Sequence, residues 1–303
     1  MPTSYHFTVI IPHHTKSGVV LLERSVNSIP DDESIQILVI DNSPASINQN
    51  LFKTRSNVKV LFSDRTKGAG HARNVGLQHS KGKWILFLDA DDFFLNDAFN
   101  IVRKYIQSSY DIIFFKPTSC YSDTFETANR HIAYAKIIDN YLCNKDDYKL
   151  RCSFPVPWSK MIKKDFLKNN GILFDETPAS NDVIFSLKTG LAANTIFADK
   201  AEIYCITVTK GSITNTISLK NIESRFDVSI LKNKILKANG YKKDTSVMLF
   251  ILSSIRFGII PFSKLFFKAL ITGNLFIGYN RWFKTLLKTN KNKNTAYKVK
   301  EKI

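Results

Sequence analysis

Residues 84–92 read WILFLDADD, and few folds accommodate that string. Five apolar residues, bounded by the turn signal of Lys81, Gly82 and Lys83 and then by acids, have the pattern of a strand buried on both faces. Asp89, Asp91 and Asp92 follow at once. Carboxylates this close repel one another and lose solvation unless positive charge joins them. A hard divalent cation carrying a phosphorylated ligand meets that need, because Mg²⁺ and Mn²⁺ favour carboxylate and phosphate oxygens. The competing reading, helix capping by Asp92 or Asp97, accounts for one acid of the three.

Other runs repeat the pattern. Residues 7–11 (FTVII), 35–40 (IQILVI), 58–61 (VKVL) and 111–115 (DIIFF) are rich in β-formers. Helix-spaced stretches lie between them over 19–28, from the glycines of KGAGHARNVGL (67–77) onward, and over 97–107. Strand–helix alternation predicts a parallel sheet covered on both faces, with right-handed crossovers. Pro12 and His13, Asp41 and Asn42, and the acids 89–92 each fall just past a strand's carboxyl end. Those ends share one edge of such a sheet, where ligands bind. The turn Gly68–Gly70, entering a helix that carries Arg73, adds N–H groups and a guanidinium suited to phosphate. His13 and His14, adjacent on an extended segment, point to opposite sides and make a poor metal pair.

Residues 116–148 show no strong period. In FPVPWSKMIKKDFL (154–167) two prolines enforce extended backbone before Trp158, and a short helix is expected from about 159. Trp158 is either a stacking surface for a ligand or ordinary packing. Asn181 and Asp182 open an amphipathic helix, where Asp182 is either a first-turn acid favoured by the helix dipole or a proton acceptor aimed into the cleft. Residues 198–208 read as a strand pair or edge, and 210–215 as a polar loop able to close on a diphosphate.

Net charge is +17, unevenly spread. Residues 232–303 carry 16 Lys and Arg against Asp244 and Glu301, whereas residues 1–231 carry 27 against 24 acids. Residues 246–260 are apolar but interrupted by Arg256 and Gly258 and ended by Pro261, too short and charged for a membrane span. Basic residues interleaved with Phe, Leu and Trp over 246–303 suggest helices lying on an anionic membrane surface, in preference to a nucleic-acid patch. The four cysteines lack metal or disulfide spacing and read as inert thiols. No signal-peptide pattern opens the chain, so a cytoplasmic location, or the cytoplasmic membrane face, is expected.

The motifs TVIIPHH, VIDNS, KGAGHARNVGL, WILFLDADD, PWSKMIKKDFL and SNDVIFSL stand in one order, and in that order the chain resembles glycosyltransferase family 2 with its GT-A fold. The resemblance implies a Rossmann-like mixed α/β sheet flanked by helices over residues 1–218. Residues 1–116 would form the nucleotide-sugar half and 117–218 the acceptor half, leaving 219–303 as a helical, basic, membrane-associating extension. It implies nucleotide contacts from Pro12, His13, Asp41, Asn42, Lys67, Gly70 and Arg73, and a DxD motif of Asp89, Ala90 and Asp91. Asp89 and Asp91 would hold Mg²⁺ or Mn²⁺, Asp182 would deprotonate the acceptor, and Trp158 and Asn181 would bind it. The implied reaction is inverting transfer from a UDP-, dTDP- or GDP-sugar to a glycan or lipid-linked glycan, as in surface-polysaccharide synthesis. Asn42 stands where the family has a second acid and Asn181 where it has a glutamate. Nucleotidyl transfer is the rival enzyme class, distinguished by release of diphosphate in place of nucleoside diphosphate; an inactive membrane-bound scaffold of the same fold is the non-enzymatic one.

Overall fold

The computed structural model describes residues 5–14, 18–208 and 218–278. The chain divides into two compact units, Met1–Thr216 and Ile217–Ile303.

The first unit is organised on one eight-stranded sheet. The apolar runs become β1 (Phe7–His13), β2 (Ile35–Asp41), β3 (Val58–Phe62) and β4 (Trp84–Phe87), all parallel and ordered β3-β2-β1-β4. Helices α1 (Val19–Asn27) and α2 (Gly68–His79) make the crossovers into β2 and β4. Strand order reverses between β1 and β4, and ligands of such sheets bind past the carboxyl ends at that point. His13 closes β1 there, and Asp89 follows the end of β4.

The other half departs from the parallel sheet that simple alternation predicts. Residues 160–163 form β7 (Lys160–Lys163), where a helix was expected. Met161 and Ile162 are buried between β4 and β6 (Ile112–Tyr121), and β7 runs antiparallel to both. Tertiary pairing overrides local propensity in so short a segment. The helix comes later, as α6 (Lys164–Asn169). β6 continues past Phe115 through register shifts on either side of Lys116, pairing parallel with β8 (Ile196–Val208). β8 is thus one long interior strand rather than a pair, and β5 (Phe93–Phe94) flanks it antiparallel. The helix expected over 97–107 is the shorter α3 (Ala98–Arg103). The unplaced stretch holds α4 (Ile132–Asn144), α5 (Tyr148–Ser153) starts at its end, and α7 (Asn181–Ala192) begins where the sequence places it.

In the second unit α8 (Leu219–Ala238), α9 (Met248–Ser254) and α10 (Ile259–Ile271) enclose a small core of Ile222, Phe226, Val247, Ile251, Leu265, Ala269 and Leu275. Pro261 does not end the apolar run but sits in the first turn of α10, where a missing N–H costs no helical hydrogen bond. Asn233 is a fully buried hub, donating to Thr245 O and Asn274 Oδ1 and accepting from Asp244 N and Thr245 N. Among the described residues no helix is long and apolar enough to cross a membrane.

Candidate active site

Arg73, on the inner face of α2, joins two parts of the sheet edge. One guanidinium nitrogen donates to Asp89 Oδ1 at 2.7 Å, the other to Asn181 Oδ1 at 2.9 Å. The guanidinium lies over the Phe174 ring, 5.4 Å from its centroid. Asn74, one residue on, exchanges hydrogen bonds with the backbone N–H and C=O of Phe174. The start of α7 is thereby tied to the end of β4. Gly70 allows this approach: a Cβ there would stand 2.2 Å from Asp175 O and 3.1 Å from Asn181 Cβ. Gly70 thus lies inside α2 as a close-packing glycine, and the left-handed glycine opening the helix is Gly68, with φ 73°. Lys67 is exposed, with Nζ 3.8 Å from Glu176.

The three acids after β4 divide their duties. Asp92 is buried and turned away, accepting from Tyr204 Oη at 2.7 Å and Thr207 N at 2.7 Å. Burial, then Asp91 and Asp89, push its carboxyl well up. It is a strut to β8. Sequence reasoning that treats all three acids alike misses this. The Ala90, Asp91 and Asp92 carbonyls are held by Ser25 Oγ, Arg24 and Thr207 Oγ1. Asp91 keeps its carboxylate free of any described side-chain donor, and burial followed by Asp89 repulsion raises it above the ordinary range. An uncompensated carboxylate beside a second one is a hard-oxygen donor set that fits a divalent ion. Among the described residues no cluster of three or more His, Cys, Asp or Glu is arranged to hold a metal, so protein ligands alone do not complete such a site.

At the ends of β1 and β2, Asp41 is already saturated. It accepts from Ser43 N, Ser43 Oγ and Ile47 N, and lies 3.1 Å from His13 Nδ1. Burial works to raise its carboxyl, but the Ser43 hydroxyl, the Ile47 N–H and His13 outweigh it and hold it below the usual range. Asn42 is buried beside it, its N–H on His13 O. Pro12 pairs with Ile40 inside the sheet. These residues line the edge chiefly as structure.

Across the edge, burial raises the Asp182 carboxyl while Arg73 and Lys160 pull it down. The charge of Asp182 acts on Tyr134 of α4, and the charge of exposed Arg130 acts on Tyr134 and Asp91. Trp158 is 5% exposed, stacked on Tyr204 at 5.1 Å and edge-on to Tyr134 at 4.9 Å. The structure places it in packing, with little surface left for a ligand. Arg24 and Tyr204 carry no motif signal, since each acts through partners remote in sequence. The loop 210–215 lies outside the described residues.

Residues 8–171 match the family model described as glycosyl transferase family 2. The chain belongs to that family. Its relatives include the poly(ribitol-phosphate) beta-N-acetylglucosaminyltransferase TarS of Staphylococcus aureus, 24% identical over 65% of this chain and 35% of that protein. A Campylobacter jejuni GalNAc(5)-diNAcBac-PP-undecaprenol beta-1,3-glucosyltransferase is 26% identical over 54% of this chain and 53% of its own length. The chain thus spans about a third to a half of these two relatives. The crystal structure of TarS 1-349 in complex with UDP-GlcNAc superposes with a TM-score of 0.60 at 22% identity, covering 87% of this chain and 73% of that one. At that identity the likeness carries the GT-A fold and nothing finer.

Proposed function

We propose that the chain transfers a sugar, with inversion, from a nucleoside-diphosphate donor (UDP-, dTDP- or GDP-linked) to a hydroxyl of a glycan or lipid-linked glycan in surface-polysaccharide assembly. The observation that carries this is the Arg73 bridge, which brings the Asp89–Asp91 pair and Asp182 to one sheet edge at the topological switch point. When bound, Mg²⁺ or Mn²⁺ held by Asp89 and Asp91 would supply positive charge to the departing diphosphate. The ends of β1 and β2, with Pro12, His13, Asp41 and Asn42 held as their framework, would seat the nucleoside, and exposed Lys67 at the entry to α2 would border the phosphates. Arg73 fixes Asp89 and, through Asn181, the start of α7. Asp182 takes the acceptor proton as the hydroxyl oxygen attacks the anomeric carbon from the face opposite the diphosphate. Trp158 stiffens the acceptor side beneath Tyr134 and Tyr204.

The second unit supports a place for this reaction at a membrane. Ile259, Ile260, Phe267, Ile271 and Phe276 are all exposed, from 57% to 84%. Lys264 and Lys268 are engaged by Glu223 and Asp227, so apolar contact carries more of the attachment than those lysines do. Residues 246–303 would rest on anionic lipid at the cytoplasmic face.

Activity with a panel of nucleotide sugars and Mn²⁺, read as nucleoside diphosphate released, tests the reaction. Asp91→Asn is expected to lose several kcal/mol of transition-state stabilisation while keeping its Tm. Release of diphosphate, or unchanged turnover in Asp91→Asn, overturns the proposal.

A further inference from the structure

Arg24 stands on α1, outside every motif of the sheet edge, yet its guanidinium reaches the loop that carries the acids. One terminal nitrogen donates to Asp91 O at 2.6 Å and to Ser122 Oγ at 3.2 Å, and the other donates to Ser122 O at 3.2 Å. These partners lie 67 and 98 positions away in the chain. Ser122 belongs to the tight turn after β6, where Tyr121 N donates to Glu126 O and Phe125 N to Tyr121 O. The guanidinium also lies 5.3 Å from the Phe93 ring centroid and 5.6 Å from that of Phe125. Carbonyls, a hydroxyl and ring faces are neutral partners, and among the described residues no carboxylate forms an ion pair with Arg24. Its Nε is buried without a hydrogen bond among the described residues, a cost that the terminal nitrogens must offset. A half-buried guanidinium that neutralises no acid is held for its fork of donors rather than for its charge.

The Asp91 carbonyl oxygen has two lone pairs, and Thr207 Oγ1 of β8 takes up the second at 2.7 Å. Backbone oxygens are themselves hard ligands for a divalent ion. This one is filled from two sides, by α1 and by β8, and so is withheld from any ion. The Asp91 carboxylate, in contrast, meets no described side-chain donor. A peptide pinned at its oxygen by donors from two elements cannot turn without breaking one of them, and the side chain beside it keeps its direction. Outer partners of this kind orient metal ligands, and their loss is felt in affinity.

We propose that Arg24 is a positioning residue for Asp91: by holding the Asp91 carbonyl against the turn at Ser122, it aims the Asp91 carboxylate, beside Asp89, at a divalent ion. The inference rests on Asp89 and Asp91 being the metal ligands of the proposed reaction. Arg24 is no ligand itself, since a guanidinium carries only donors. It acts through one backbone oxygen.

The test needs no turnover. Mn²⁺ binding to the full chain, alone and with UDP, dTDP or GDP, is read from the water-proton relaxation enhancement that a protein-bound ion produces. Asp91→Asn is expected to abolish it. Arg24→Met keeps a side chain between Phe93 and Phe125 but removes the donors, and its Kd for Mn²⁺ is expected to rise by about 10–100-fold. Arg24→Lys retains one donor for Asp91 O and is expected to lose less. Thr207→Val, nearly isosteric, strips the other donor from the same oxygen and is expected to weaken Mn²⁺ in the same direction. Wild-type affinity in Arg24→Met, even with a lowered Tm, assigns Arg24 to packing and overturns the inference. Tighter binding overturns it too, because the charge would then be repelling the ion. Where Arg24→Met does not fold, wild-type affinity in both Arg24→Lys and Thr207→Val overturns it equally. In each of these cases Asp91→Asn still loses the ion and the metal reading stands; equal binding by wild type and Asp91→Asn overturns both.

Discussion

Asp41 and Asp182 are both buried-side carboxylates at the sheet edge, and the protein treats them in opposite ways. Asp41 receives two backbone N–H groups, a hydroxyl and an imidazole, and its carboxyl is held low. Asp182 receives no hydrogen bond from a described side chain, and its carboxyl is pushed up by burial. A carboxylate whose lone pairs the fold has filled is building material; one left short of partners in a cleft is available to a substrate. The ends of β1 and β2 are thus largely finished by their own chain, while the start of α7 holds its charge in reserve.

That contrast breaks if the two acids respond alike to the same change. Asp182→Asn is expected to lower kcat by about 10²–10⁴-fold, the usual contribution of a general base, with Tm unchanged or higher because a desolvated charge is gone. Asp41→Asn is expected to reverse the signature. Leaving its buried donors mismatched costs about 1–3 kcal/mol of stability by urea denaturation, with the kinetic change falling on donor KM. Loss of both stability and kcat in each variant would erase the distinction.

A smaller effect sharpens the picture at β7. Burial brings Lys160 down to about 7 from the 10.5 of an ordinary lysine. Between those values the unfolded chain holds more protons, so this group makes stability rise with pH across the window. Tm between pH 7 and 10 should therefore climb more steeply in the wild type than in Lys160→Met. Smallest of all, Ile260→Glu with Phe267→Glu should weaken flotation on anionic vesicles at low salt without altering turnover on a soluble acceptor.

The sheet's parallel half was legible because FTVII, IQILVI and WILFL leave no helical alternative, and because polar residues cluster past each run. The mixed half was not. SKMIK becomes a strand only because β4 and β6 stand ready on either side, and the tract after Phe115 hides its continuation behind the shifts around Lys116. At the site, residue type located Asp89, Asp91 and Arg73 but could not say that Asp92 turns toward Tyr204. Lys160, in a string of lysines, reads as surface charge; its burial follows from Phe114 and Phe154, forty-six and six positions away in the chain.

Gly70 carries a last implication. The gap between α2 and the segment leading into α7 is set by an atom that glycine does not have, so the span that Arg73 must bridge is gauged by a void. A single methyl inserted at position 70 would act as a shim, prising Asn181 from Asp89 while leaving every polar group intact. The reach of one guanidinium, rather than any added bond, is what that shim would exceed.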